Sequence, residues 1–147
     1  MKGIYCLIIT LQKMQTIKVG KSGTREFKAG NYIYTGSAMG PGGLEARIGR
    51  HMKKAKKLKW HIDYLRVQAG SVLPIFAETG NGNNECRVAS MLCDKFEPVE
   101  GFGNSDCKNG CPAHLVFAGD TSQKRLKNIV RAILKTRGLN KFSREVI

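Results

Sequence analysis

Long apolar runs, acidic side chains, internal repeats and a dense cysteine framework are what this sequence lacks. Without a long apolar run there is no helix able to span a bilayer, so the chain is expected to be soluble. Lys2 followed by apolar residues to Leu11 imitates a signal peptide, but no small-residue cleavage site follows, and a leader is not expected. Five cysteines make an odd count, which points to a reducing cytoplasm rather than to secretion. No repeat or low-complexity linker divides the chain, and 147 residues suit a single domain with a core of its own. Acids are scarce: 11 Asp and Glu face 25 Lys and Arg, for a formal net charge of +14. Such an excess favours a polyanionic partner through counterion release from phosphates. Ordinary solubility charge, with some affinity for membrane surfaces, is the blander reading. Clustering favours nucleic acid. One cluster is RIGRHMKKAKKLK at 47–59, which contains Arg50, Lys53, Lys54, Lys56 and Lys57; the other is QKRLKNIVRAILKTRGLNK at 123–141.

Residues 3–11, 16–20 and 31–34 read as three strands. Period two puts Tyr5, Leu7 and Ile9 on one face, and Tyr32 with Tyr34 on one face of the third strand. In a meander Tyr5 and Tyr34 share a face. GSAMGPGG reads as a loop. A helix follows from Gly43 or Leu44, with Leu44, Ile48 and Met52 as its apolar stripe. A second helix is expected over 59–68, with Ile62 and Leu65 inward. SVLPIFAET reads as a strand that Pro74 confines to an edge. The next helix is expected over 85–96, with Val88, Ala89, Leu92 and Phe96 on one face. HLVFA is a last strand. Asp120, Thr121 or Ser122 caps a final amphipathic helix with Leu126, Ile129, Val130, Ile133 and Leu134 inward.

In so basic a chain, Glu85 on the apolar side of a helix stands out. It suits a single Mg²⁺ held by one carboxylate plus phosphate oxygens, or simply an acid favoured by the helix dipole. Arg47 borders the first helix's stripe. It can hold a phosphate bidentately, or lay its stem along the helix with its head in water. His51, one turn on, can position water or merely pack. Arg50, Lys53 and Lys54 are expected to face outward and hold a nucleic-acid backbone. The tyrosines are poor bases unless cations favour the phenolate, and Arg47, Lys18 and Lys21 are candidates for that role. They are equally good strand formers with a wet tip. Cys107 and Cys111, followed by His114, have zinc-like spacing, with Cys86 a conceivable fourth ligand; free thiols packed in a core are the alternative. Trp60 and Tyr64 lie one turn apart in WHIDYL, as on a packed helix.

GIY at 3–5 and YTG at 34–36 resemble the paired signature of the GIY-YIG nuclease superfamily. GGLEARIGRH and NECRVA follow where that family carries its phosphate-binding arginine and metal-binding glutamate, which places Arg47 and Glu85 in those roles. The resemblance covers roughly residues 3–96. A longer pattern, YIYTGSA, GLEARI, WHIDYL and GFGNSDC with HL beyond it, is most similar to an uncharacterised branch catalogued as a domain of unknown function, and extends to about residue 118. His61, Asp63 and Asp106 resemble motif residues of that branch.

The resemblance implies an α/β (α+β) fold, a small mixed β-sheet flanked by helices; beyond its reach, the amphipathic pattern and the second basic cluster make 120–147 a basic C-terminal helix and tail. It implies a metal-dependent DNA endonuclease using one Mg²⁺ (or Mn²⁺) at Glu85, with a place in DNA repair or recombination. Tyr34 or Tyr5 would be the general base or orient the water, and Arg47 would stabilise the phosphoryl transition state. Thr35 and Ser37 depart from the pattern, the latter where excision-repair members carry a basic residue. A nuclease-like fold kept only for binding nucleic acid, or an RNA-processing enzyme, are the other two expectations.

Overall fold

The structure, a computed structural model, describes residues 1–20, 23–53, 57–103 and 111–136. Along the chain run β1 (Gly3–Leu11), β2 (Gln15–Lys18), β3 (Thr24–Phe27), β4 (Gly30–Ala38), α1 (Gly43–Met52), α2 (His61–Arg66), β5 (Ser71–Glu78), α3 (Asn84–Lys95), β6 (Glu97–Pro98), β7 (Leu115–Gly119) and α4 (Gln123–Thr136). Five strands form one sheet in the order β5-β1-β4-β7-β6, and β2 with β3 forms a separate hairpin. The fold is α+β.

Each of the strand pairings is antiparallel, which corrects the expectation of a mixed sheet. The reason lies in β1. The helical connection that parallel neighbours need is present between β4 and β5. β1 is inserted between those two strands and runs against both.

Period two along β1 divides the core. Tyr5, Leu7, Ile9 and Leu11 pack with Leu44 and Ile48 of α1, Ile62 and Leu65 of α2, and Phe27 of the hairpin. Ile4, Cys6 and Ile8 pack on the other side with Val88 and Leu92 of α3 and with Leu126, Val130, Ile133 and Leu134 of α4. A strand covered on both faces has no wet side, which is why GIYCLIITL is apolar almost throughout instead of alternating. Pro74 sits on the edge strand β5, opposite Leu7, where a missing N–H costs no ladder bond. Ser122 is the residue that caps α4: its Oγ accepts the Arg125 N–H at 3.2 Å.

The local reading errs where pairing overrides propensity. β4 continues beyond Tyr34 through Thr35 and through Gly36, Ser37 and Ala38 of the expected loop, because each pairs with a residue of β1 from Cys6 back to Gly3. β3, in the stretch KSGTREFKAG between the second and third expected strands, forms by pairing with β2. The helix expected over 59–68 is shorter, His61–Arg66. Among the described residues no helix is long and apolar enough to cross a membrane.

Candidate functional site

The two motif glycines exist to let side chains close in. A Cβ on Gly36 would collide with the ring and hydroxyl of Tyr5, which lies opposite it in the ladder. One on Gly3 would strike the Ala77 carbonyl and the Leu44 side chain. Gly36→Ala is therefore expected to destabilise the fold by about 1–3 kcal/mol through overpacking, as measured by urea denaturation. An unchanged midpoint would mean that Tyr5 moves aside freely.

Tyr5 and Tyr34 do share a face, since Tyr34 pairs with Leu7 two residues along β1. The Tyr5 hydroxyl lies 2.8 Å from His51 Nε2, in a buried hydrogen bond. His51, on α1, is fully buried, and its ring lies 6.2 Å from that of Tyr34 and 6.0 Å from that of Trp60. The Arg47 guanidinium stands 4.6 Å over the Trp60 ring, and its charge acts on the Tyr5 phenol. Strand alternation places Thr35 and Ser37 on the face of β4 opposite Tyr34. Tyr32 is a core residue: its hydroxyl donates to the Lys28 carbonyl at 2.7 Å, and its ring packs on Phe27 and Phe117.

Glu85 enters from the first turn of α3 with its side chain 23% exposed, and its Oε2 lies 3.8 Å from His114 Nδ1. Its charge reaches both phenols. Burial lifts the Tyr5 pKa well above the usual phenol value; Tyr34 and Glu85 add to this, and Arg47 opposes it. Burial, then Glu85, lifts Tyr34 likewise, against the pull of Arg47. This overturns the expectation that cations would favour the phenolate. Removal from water outweighs one guanidinium, and Lys18 is exposed on β2.

Arg50 is also corrected. It does not point outward to a ligand: it is clamped to Asp63 by two 2.7 Å hydrogen bonds, donates to the Lys57 carbonyl at 3.0 Å, and stacks 4.2 Å over Trp60. Asp63, fully buried, also accepts the backbone N–H groups of Lys59 and Trp60 at 2.8 Å each. Burial alone would raise its pKa. The Arg50 and backbone hydrogen bonds instead hold it far below the usual carboxylate range. Arg66 of α2 locks the same C-terminal turn of α1, donating to the carbonyls of His51 and Met52 at 2.6 and 3.0 Å. WHIDYL therefore fixes α1 and lays a tryptophan platform under Arg47. The sequence could not reveal this, because the partners lie on two helices.

Of the other expected nucleic-acid contacts, Lys53 and Lys57 are exposed, and Lys18 lines a cleft of about 980 Å³ with Gly20, Gly23, Lys59, His61 and Tyr64. Lys21, Lys54, Lys56, Asp106 and Cys107 lie outside the described residues. Cys111 and His114 come together as expected, joined by Cys86 of α3: His114 Nε2 is 3.1 Å from Cys111 Sγ and 3.7 Å from Cys86 Sγ. Gly103 separates this group from Tyr34; a Cβ there would lie 3.1 Å from the Tyr34 ring and 3.3 Å from His114 Cβ.

Residues 4–136 match the family model described as Domain of unknown function DUF123. The chain belongs to that family. The match takes in every element described above, so the tyrosine–arginine–glutamate grouping and the Cys–Cys–His grouping both lie within it. No curated protein and no solved structure matches the chain.

Proposed function

We propose that the chain is a divalent-metal-dependent endonuclease that hydrolyses phosphodiester bonds in DNA. One observation carries this reading: Tyr5, Tyr34, Arg47, His51 and Glu85, scattered over 81 residues of sequence and four elements, are brought within electrostatic reach of one another. The resemblance of GIY and YTG to the GIY-YIG signature and the net charge of +14 support it. So do the exposed Lys53 and Lys57 and the lysine-lined cleft.

A single partly open carboxylate suits a hard cation that keeps most of its water and takes phosphate oxygens as ligands. Glu85 would hold such an ion, Mg²⁺ or Mn²⁺, whose chemistry is to polarise a phosphoryl oxygen and make water more acidic. Arg47, propped on Trp60, would bind the phosphate and offset the charge that grows on it during attack. Tyr5 and Tyr34, with pKa values pushed up, stay protonated at neutral pH and would donate hydrogen bonds that orient the phosphate or the attacking water. His51 fixes the Tyr5 hydroxyl, accepting its hydrogen bond at Nε2 in the tautomer protonated at Nδ1. A reducing cytoplasm would suit the odd cysteine count, and a role in DNA repair or recombination would fit the reaction.

A second reading, a nuclease-like module that only binds nucleic acid, draws on the same raised phenols and on Ser37 in place of a basic residue. The two separate on incubation with supercoiled, nicked and flapped DNA, and with matched RNA, in Mg²⁺ or Mn²⁺. Cutting of DNA that stops with EDTA is expected. Salt-dependent binding without turnover in either metal would establish the binding module instead. Preferential cutting of the matched RNA would establish an RNA-processing enzyme.

A further inference from the structure

The geometry points to a zinc site formed by Cys86, Cys111 and His114, adjacent to the carboxylate of Glu85 and separate from the hard-cation position proposed there. The three ligand atoms lie within 4.8 Å of one another, and all three residues are buried. In a tetrahedral zinc centre, bond lengths of about 2.3 Å to sulfur and 2.0–2.1 Å to nitrogen imply S···S and S···N edges of about 3.8 and 3.6 Å. The 3.7 Å and 3.1 Å separations of His114 Nε2 from the two sulfurs bracket the second of these. Shifts of a few tenths of an ångström would admit the ion. The donors are soft thiolates and an imidazole, a set that selects zinc over magnesium.

The surroundings fit as well. A ligating histidine needs its other ring nitrogen oriented, commonly by a carboxylate. His114 Nδ1 faces Glu85 Oε2 at 3.8 Å, longer than a hydrogen bond but close enough for the charge to favour a proton on Nδ1 and leave Nε2 for the metal. A small pocket of apolar packing remains around the group: Cys86, Cys111 and Ala89 form a buried cluster of their own, apart from the two main cores. Among the described residues the group joins α3 to the segment that enters β7 and is linked by no disulfide. A metal there would pin the first turn of α3, and with it Glu85, to the sheet. Three protein ligands leave one coordination position for water or a further donor.

The test uses the full chain, purified without chelator and then depleted and titrated. Metal analysis is expected to find about one zinc ion per chain. Cobalt titration of the depleted protein is expected to give intense thiolate-to-metal charge-transfer absorption together with tetrahedral d–d bands. Cys111→Ser is expected to lower zinc affinity by more than about 100-fold, beyond the roughly 10–100-fold cost of losing an outer partner. Cys93→Ser should leave it unchanged, since Cys93 on the same helix donates instead to the Ala113 carbonyl. The cobalt spectrum of the unmutated chain needs no variant to fold. The inference is overturned by a cobalt spectrum without thiolate bands, by zinc affinity that survives Cys111→Ser, or by a Cys86–Cys111 disulfide found by mass spectrometry.

Discussion

Arg47→Ala is expected to lower kcat for DNA cleavage by about 10²–10³, the usual cost of removing one preorganised donor from developing charge. The argument rests on where the guanidinium is held. Trp60 supports it from below at 4.6 Å, on the side of α1 that faces the Tyr5 phenol, whose ionisation its charge favours. It is therefore already in place when charge develops. Arg47→Lys should recover little, because an ammonium presents no planar fork to hold a phosphate bidentately and cannot lie flat on the indole as a guanidinium does. Glu85→Gln should be at least as damaging, since a neutral amide binds a hard cation poorly. The phenols offer a companion observation. Burial holds both protonated, so Tyr34→Phe removes a donor, and its residual activity should keep the wild-type dependence on pH between about 6 and 9. A rise with pH seen in the wild type and absent from Tyr34→Phe would make that phenol a base instead. Wild-type rates in Arg47→Ala, measured beside retained binding, would remove the residue from the chemistry altogether.

Asp63→Asn is expected to cost the fold about 3 kcal/mol or more, the range seen when one partner of a buried, hydrogen-bonded pair is removed. Asp63 has no exposure and, among the described residues, accepts two hydrogen bonds from Arg50 and two from backbone N–H groups. An amide can accept only part of that set and would direct its own N–H groups at donors. Arg50, 25% exposed, would regain some water, which places the cost near the lower end. The sign with pH follows from the direction of the shift. Asp63 titrates far lower in the folded protein than in the unfolded chain. Its contribution is fully present above the unfolded value of about 3.9 and is lost as pH falls through the folded one. Asp63→Asn should therefore weaken the protein at pH 7 and flatten its acid-side loss of stability. Urea denaturation followed through the single tryptophan, which sits beside this clamp, reads both. A change below about 0.5 kcal/mol would be ordinary for a surface site and would mean the clamp is not needed.

Repeating local patterns carried much of the architecture. A 3.6-residue period located α1, α3 and α4, and a two-residue period placed Tyr5 with Leu7 and Ile9. One imino acid marked β5 as an edge strand. These features were legible because each depends on near neighbours in the chain. The resemblance of GIY and YTG to a nuclease signature likewise singled out Tyr5, Tyr34, Arg47 and Glu85 as candidates before any contact was known.

What the tertiary structure decided depends on residues far apart. TGSA is weakly strand-forming by itself, yet it is a strand because β1 supplies its ladder. Arg50 looks like any lysine-cluster cation until Asp63 arrives from the next helix. Cys86 meets His114 across 28 residues, a pairing that no spacing announces. The phenols show the physical reason most clearly. Sequence reports which charges exist, and here it reports a surplus of cations. Only the fold determines how far each group is removed from water, and at Tyr5 and Tyr34 that removal outweighs the nearby arginine and reverses the direction in which the pKa moves.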